Sequence, residues 1–186
     1  MSRKKYLRKS WREKLADRKD LPRVERITDK MSKKWGKGTI VIPAPEEVDE
    51  IMKKVPPGKL ITINEIRAKL AKKHGAMIGC PITTGIFAWV AANAAKEAAD
   101  AGEKNINPYW RTLKTGGIIN EKYPGGVEAQ KKMLEKEGHQ LIQKGKKIWC
   151  SILRSIWRMN QRFRKKFRIS GDLHGNLNDT GSDRGG

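Results

Sequence analysis

Residues 62–102 read TINEIRAKLAKKHGAMIGCPITTGIFAWVAANAAKEAADAG, and this stretch decides the fold. Thr62 and Glu65 stand three apart, the spacing at which each side chain takes the other residue's free backbone N–H, so a helix is expected to start here. Ile66 and Leu70 then share one side through about Lys73, and His74-Gly75 stops the run. A Gly79-Cys80-Pro81 turn leads into a second helix, expected from about Thr83 to Ala101, rich in alanine and ended by Gly102. Two helices joined by a short glycine-containing turn have the form of a helix-turn-helix, whose second helix enters a DNA groove. Helical hairpins that never meet DNA share that spacing, so spacing alone does not separate the two.

Toward the N-terminus, Leu60-Ile61 reads as a brief extended run. Pro56-Pro57-Gly58 ends a helix that begins at Pro45, with Glu46, Glu47, Asp49 and Glu50 at its positive end and Val48, Ile51, Met52 and Val55 at helical spacing. Before it, Thr39-Ile40-Val41-Ile42 reads as a strand, and Ser10 to Asp17 as a short helix carrying Trp11 and Leu15 on one side. Toward the C-terminus, Gly116-Gly117-Ile118-Ile119-Asn120 and Tyr123-Pro124-Gly125-Gly126 read as a turn or wing bracketed by glycines. A helix from Val127 to Glu137 follows, with Met133 and Leu134 inward. Residues 147–168 are expected to form a basic amphipathic helix with Ile148, Trp149, Ile152, Leu153, Ile156, Trp157, Phe163 and Phe167 on one broad face. Ser170 to Gly186 is rich in Gly, Asp and Asn and is expected to be disordered.

The 186 residues carry a formal net charge of +21, and its distribution is uneven. Residues 1–38 hold 15 Lys/Arg against 5 Asp/Glu, residues 39–140 hold 15 against 12, and residues 141–186 hold 11 against 3. Basic flanks around a nearly balanced centre suit a protein that gathers phosphate contacts and releases counterions on binding nucleic acid. Solubility alone also explains basic tails. No apolar run approaches the length of a membrane span, and the basic start Met1–Lys5 is not followed by a signal-peptide core, so a cytoplasmic or nucleoid-associated protein is expected. Cys80 and Cys150 lie far apart without CxxC spacing, and His74, Cys80 and His139 are scattered, so no disulfide framework, metal or cofactor is expected.

Four further runs occur in a fixed order: Val55-Pro56-Pro57-Gly58-Lys59-Leu60, Pro108-Tyr109-Trp110-Arg111, Gly117-Ile118-Ile119 leading to Tyr123-Pro124-Gly125-Gly126, and Lys132-Met133-Leu134-Glu135-Lys136-Glu137-Gly138-His139. From about Val48 to Leu141 this series resembles the DNA-binding domain of the O6-alkylguanine-DNA alkyltransferases, the methylated-DNA-protein-cysteine methyltransferases. The resemblance implies a mainly α fold with a small β wing, a winged helix-turn-helix over 39–141, between a basic N-terminal arm over 1–38 and a basic amphipathic segment with a Gly-rich tail over 142–186. The family has Pro-Cys-His-Arg where this chain has Pro108-Tyr109-Trp110-Arg111, so the acceptor cysteine position is Tyr109 and the histidine position Trp110, with Arg111 and Glu137 kept. An unperturbed phenol titrates near pH 10 and here lacks a neighbouring base, so alkyl transfer is not expected. The chain is similar to the alkyltransferase-like members, which bind alkylated DNA without an acceptor cysteine.

By the same resemblance the position of the family's helix arginine is Gly85, that of its nucleotide-rotating tyrosine is Ile63, and that of a lesion-contacting serine is Pro124. Phe87 or Trp89 is a candidate apolar wedge, with core packing as the alternative. The expected DNA contacts are Thr62, Thr83, Thr84, Gly85, Ala88, Trp89, Arg111 and Lys114, with Ala91 and Ala92 also along the groove. Tyr109, Trp110, Tyr123 and Pro124 are the base-pocket candidates, either stacking a base or filling the space. The expected function is non-enzymatic binding of duplex DNA, ordinary or alkylated, by a monomer acting in repair. Two alternatives stay open: alkyl acceptance by a displaced Cys80 or Cys150, and attachment to a partner or membrane surface through 147–168.

Overall fold

The computed structural model describes residues 9–145 and 147–153. Helix α1 (Trp11–Ala16) is capped as its sequence requires: the Ser10 side chain accepts from the Glu13 amide, and Glu13 accepts from the Ser10 amide at 2.7 Å. Strand β1 (Arg23–Arg26) and helix α2 (Asp29–Trp35) follow, then β2 (Thr39–Ile42) and α3 (Pro45–Lys53). After β3 (Ile61–Thr62), α4 (Ile63–Lys73) starts on the Thr62/Glu65 pair, with both backbone donors capped. Strand β4 (Ile78–Gly79) leads into the long α5 (Pro81–Asp100), whose first residue is the proline that needs no N–H partner there. A single 3-10 turn, Tyr109–Arg111, runs into β5 (Thr112–Leu113); α6 (Gly126–Lys136) and the hairpin β6 (Leu141–Lys144) and β7 (Lys147–Cys150) complete the described chain. The fold is mainly helical with small sheets, and among the described residues no helix is long and apolar enough to cross a membrane.

Three small sheets tie distant segments together. In the first, β2 is central, antiparallel to β1 and parallel to β4. Strands β3 and β5 pair in parallel, fastening the start of α4 to the chain just after Tyr109. In the third, β7 pairs with β6 and also reaches Ile118, while the Ile119 amide donates to the Ile148 carbonyl and the Cys150 amide to the Gly117 carbonyl.

The main core gathers Val41, Val48, Met52, Ile66, Leu70, Ala88, Ala91, Ala92 and Tyr109 between α3, α4 and α5. Small side chains on the inner face of α5 let α3 and α4 approach closely, and the lost volume is filled by Met52, Ile66 and Leu70. A tight approach also fixes Gly79. A methyl group there would stand 2.6 Å from the Arg67 carbonyl oxygen and 2.9 Å from its Cα, both backbone atoms that cannot step aside. A second cluster, Leu113, Ile119, Leu134, Ile148 and Cys150, packs α6 against the hairpin.

Two expectations are corrected. Residues 23–26 pair with β2, and α1 packs on α5, where the Arg12 amide donates to Glu97 at 2.9 Å, so much of the expected arm is part of the fold. Residues 147–150 form a strand and not the start of a helix. Ile148 and Cys150 alternate inward, and Gly145 at φ +61° makes the turn that folds the segment back on β6. A short apolar run satisfies helical and strand periods alike, and here the cross-strand bonds to β6 and Gly117 decide. Residues 151–153 are helical, and the remainder of the expected helix from 154 on, with Ile156, Trp157, Phe163 and Phe167, lies outside the described residues together with the Gly-rich tail.

Candidate nucleic-acid interface

Pro108 and the 3-10 turn place Tyr109, Trp110 and Arg111 in consecutive positions against α3, α5 and α6. Tyr109 is 8% exposed and belongs to the main core. Its ring meets Trp110 edge-on at 5.6 Å and Tyr123 edge-on at 5.7 Å, both favourable aromatic geometries. Burial pushes the Tyr109 phenol above its ordinary value, reinforced by Asp100 and opposed by Lys96, so the hydroxyl stays neutral at physiological pH. Tyr123 is raised further by complete burial. Neither oxygen is an available nucleophile.

Trp110 and Arg111 converge on Glu137, at the end of α6. The Trp110 indole N–H donates to Glu137 Oε1 at 2.8 Å, and Arg111 donates through Nε at 3.0 Å and Nη2 at 2.8 Å. The other Arg111 nitrogen donates to the Val55 carbonyl at 2.6 Å, and the Gly58 amide donates to Glu137 Oε2 at 3.3 Å. Burial raises the Glu137 pKa, but the bonds from Arg111, Trp110 and the Gly58 amide outweigh it, and the carboxyl stays below the ordinary range. With both side chains mostly buried, this is a structural ion pair in which every donor is directed inward. Where the family resemblance implies a histidine oriented by glutamate, an indole takes the glutamate bond, and an indole N–H cannot accept a proton.

Gln130, which the sequence reading passed over, completes this corner. Wholly buried on α6, it donates to the Trp110 and Thr112 carbonyls at 2.9 and 3.2 Å and accepts from the Asn120 amide at 2.8 Å. One amide thereby holds the 3-10 turn, β5 and the Gly116–Asn120 turn in register. A lone glutamine in a lysine-rich helix carries no sequence signal for that role.

Beside this corner lies an open groove of about 1120 Å³. One wall is the start of α5 with Pro81, Ile82, Gly85, Ile86 and Trp89; the other is Lys114–Thr115, Ile118–Tyr123 and the hairpin residues Lys147 and Ile148. Ile82 and Ile86 are 61% and 48% exposed, and Trp89 is 36% exposed with its ring held edge-on by Trp11 at 4.6 Å. Three lysines, Lys114, Lys122 and Lys147, line the groove against one acid, Glu121, which is paired with Lys114 at 2.7 Å.

The expected contact residues divide between these two places. Gly85, Ala88, Trp89, Lys114 and Tyr123 line the groove, as does Ile63. Ala91 and Ala92 are turned into the core, and Thr84 and Ala88 are almost wholly buried, so the alanine stripe packs the helix and the isoleucines face outward. Thr83 presents no hydroxyl either, its oxygen being buried and unpaired. Thr62 is occupied in capping α4, and Arg111 in holding Glu137. Tyr109, Trp110 and Pro124 are absent from the groove lining, and Phe87 is packed against the main core. Cys80 and Cys150 are buried, the first at the start of α5 and the second in the hairpin cluster. His74 Nε2 lies 2.8 Å from Glu47 Oε1, which also accepts from Lys73, and His139 is buried.

No family model matches this chain, and no curated protein matches it. Among solved structures it is similar to S. pombe Atl1 in complex with damaged DNA containing O6-carboxymethylguanine, at 21% identity over 57% of this chain and 85% of that chain, with a TM-score of 0.37. It is also similar to S. pombe ATL in complex with DNA, at 21% identity over 60% of this chain and 90% of that one, with a TM-score of 0.38.

Proposed function

We propose that this protein binds duplex DNA without catalysis, as an alkyltransferase-like protein in which α4 and α5 act as a helix-turn-helix and residues 114–120 as the wing. The observation that carries the reading is the contrast between a filled acceptor corner and an open groove lined by lysines immediately beside it. Tyr109 replaces a thiol with a neutral buried phenol, and Trp110 replaces a base with an indole bonded to Glu137. Alkyl transfer therefore lacks both nucleophile and base. The groove keeps what nucleic acid requires, an apolar lining and three lysines, Lys114, Lys122 and Lys147, to meet phosphates. The burial of Cys80 and Cys150 speaks against a displaced acceptor.

The test is fluorescence anisotropy with two matched duplexes, one bearing a single O6-methylguanine, at low and moderate salt, followed by intact mass. Both duplexes are expected to bind, with affinity falling steeply as salt rises, and the protein mass to stay unchanged. A gain of one methyl group would overturn the non-enzymatic reading, and salt-insensitive or absent binding would overturn DNA as the partner. Removing residues 1–8 and 154–186 deletes twelve cations against three acids, so the truncated protein is expected to show a shallower salt dependence.

A further inference from the structure

The outer face of α5 lacks the groups by which a helix reads a base edge or grips a phosphate. From Pro81 to Ala95 it contains no charged residue, and the first is Lys96, four turns into the helix. Asn93 spends its amide on the Trp89 carbonyl at 2.8 Å, and the Thr83 and Thr84 oxygens are buried. Bidentate readout by Arg, Asn or Gln is thus unavailable from this helix. What it presents instead is apolar: Ile82 and Ile86 one turn apart, with Trp89 one turn further and braced by Trp11.

Gly85 lies between the two isoleucines, and nothing within the protein explains it. A methyl group there would meet no atom within 4 Å, and its φ is not in the left-handed region. Glycine inside a helix costs stability relative to alanine, so a site with room for a side chain and none present points to close approach by something outside the chain. The charge of the groove says what. Its wall carries Lys114, Lys122 and Lys147 against a single paired acid. Residues 154–186, with eight cations against three acids, carry the same sign of net charge as that wall, whereas a phosphate backbone carries the opposite sign.

Resting on the DNA reading above, we infer that Ile82, Gly85 and Ile86 form an apolar wedge: DNA closes onto the helix at Gly85, and the two isoleucines part a base step and bend the duplex. Apolar side chains inserted between base pairs unstack them and kink the helix axis. The energy of that deformation depends on the step, so selection follows the deformability of the DNA. Flexible pyrimidine–purine steps and mismatches are then the preferred sites, whatever the alkylation state of the bases.

The experiment uses the full chain and end-labelled duplexes of equal length, one with a central TA step, one with a central mismatch and one with an uninterrupted A-tract, measuring affinity by anisotropy and bending by energy transfer. The wild type should bend the first two and bind them at least about tenfold more tightly than the A-tract. Ile82→Ser/Ile86→Ser should keep salt-dependent binding while losing both the bend and the preference. Gly85→Ala should raise the melting temperature by about 2 °C and yet weaken binding, a combination that a purely structural glycine cannot give. Binding by the wild type without bending, or equal bending by the double variant, overturns the wedge and leaves the DNA reading standing. Loss of all duplex binding by the wild type overturns both. If sedimentation shows a wild-type dimer that the double variant abolishes, the groove is a contact between two copies and the wedge is overturned.

Discussion

The corner around Glu137 and the outer face of α5 lie side by side and are built on opposite principles. At the corner every polar group is directed inward: Arg111, Trp110 and the Gly58 amide converge on Glu137, and Gln130 secures the neighbouring carbonyls. On α5 the apolar side chains are directed outward, with Ile82 and Ile86 in solvent while the alanines fill the core. A buried polar network keeps one arrangement because each unmade bond is costly, and an exposed apolar stripe does nothing for the isolated protein. The first is therefore a region of stability and the second is the face proposed for binding, and mutations should separate them cleanly.

The sharpest way to break that contrast is Glu137→Ala. It leaves the Arg111 guanidinium and the Trp110 N–H buried without their acceptor, and a loss of about 3–5 kcal/mol is expected in urea unfolding. A loss under 1 kcal/mol would mean that the corner is not what holds the 3-10 turn. Acid provides the same comparison without mutation. Because hydrogen bonds hold the folded Glu137 and Glu47 carboxyls below their unfolded value, near 4.3, their contribution is complete above that pH. It is lost as pH falls through the folded values, so thermal melts should decline in acid, and in Glu137→Gln that decline should be shallower. Gly79→Ala tests the tight packing behind α5; the new methyl group would collide with the Arg67 backbone, and a cost of about 1–3 kcal/mol is expected in the same unfolding experiment. The smallest effect belongs to the other region: Ile86→Ser, at an exposed site, should change stability by less than about 0.5 kcal/mol. A large loss of stability there would show that the isoleucine supports the fold.

Much of this was legible in the chain itself. The Thr62/Glu65 pair starts a helix because capping concerns only the four residues of its first turn, and the structure has it where the spacing puts it. Gly102 ends α5 for an equally local reason, although the helix begins at Pro81, two residues before the expected Thr83, and Thr39–Ile42 is a strand as its β-branched run predicts. The orientation of α5 was present but misassigned: Ala88, Ala91, Ala92 and Ala95 recur at helical spacing, and such a stripe marks close helix packing as readily as close approach to DNA. The pairing of residues 23–26 with β2 carried no signal, since all four side chains of β1 are exposed and show no alternation.

The sequence by itself determined helices α1, α3, α4, α5 and α6, the Thr62/Glu65 cap and the uneven charge, because each is set by residues near one another in the chain. Only the tertiary structure decided that Trp110 and Arg111 share Glu137, that Gln130 locks the turn, that residues 147–150 are a strand and that Ile82 and Ile86 face outward. The physical reason is distance. A hydrogen bond spanning ten or more residues, or the rotation of a helix about its own axis, depends on which surfaces pack together, and no local run of residues encodes that.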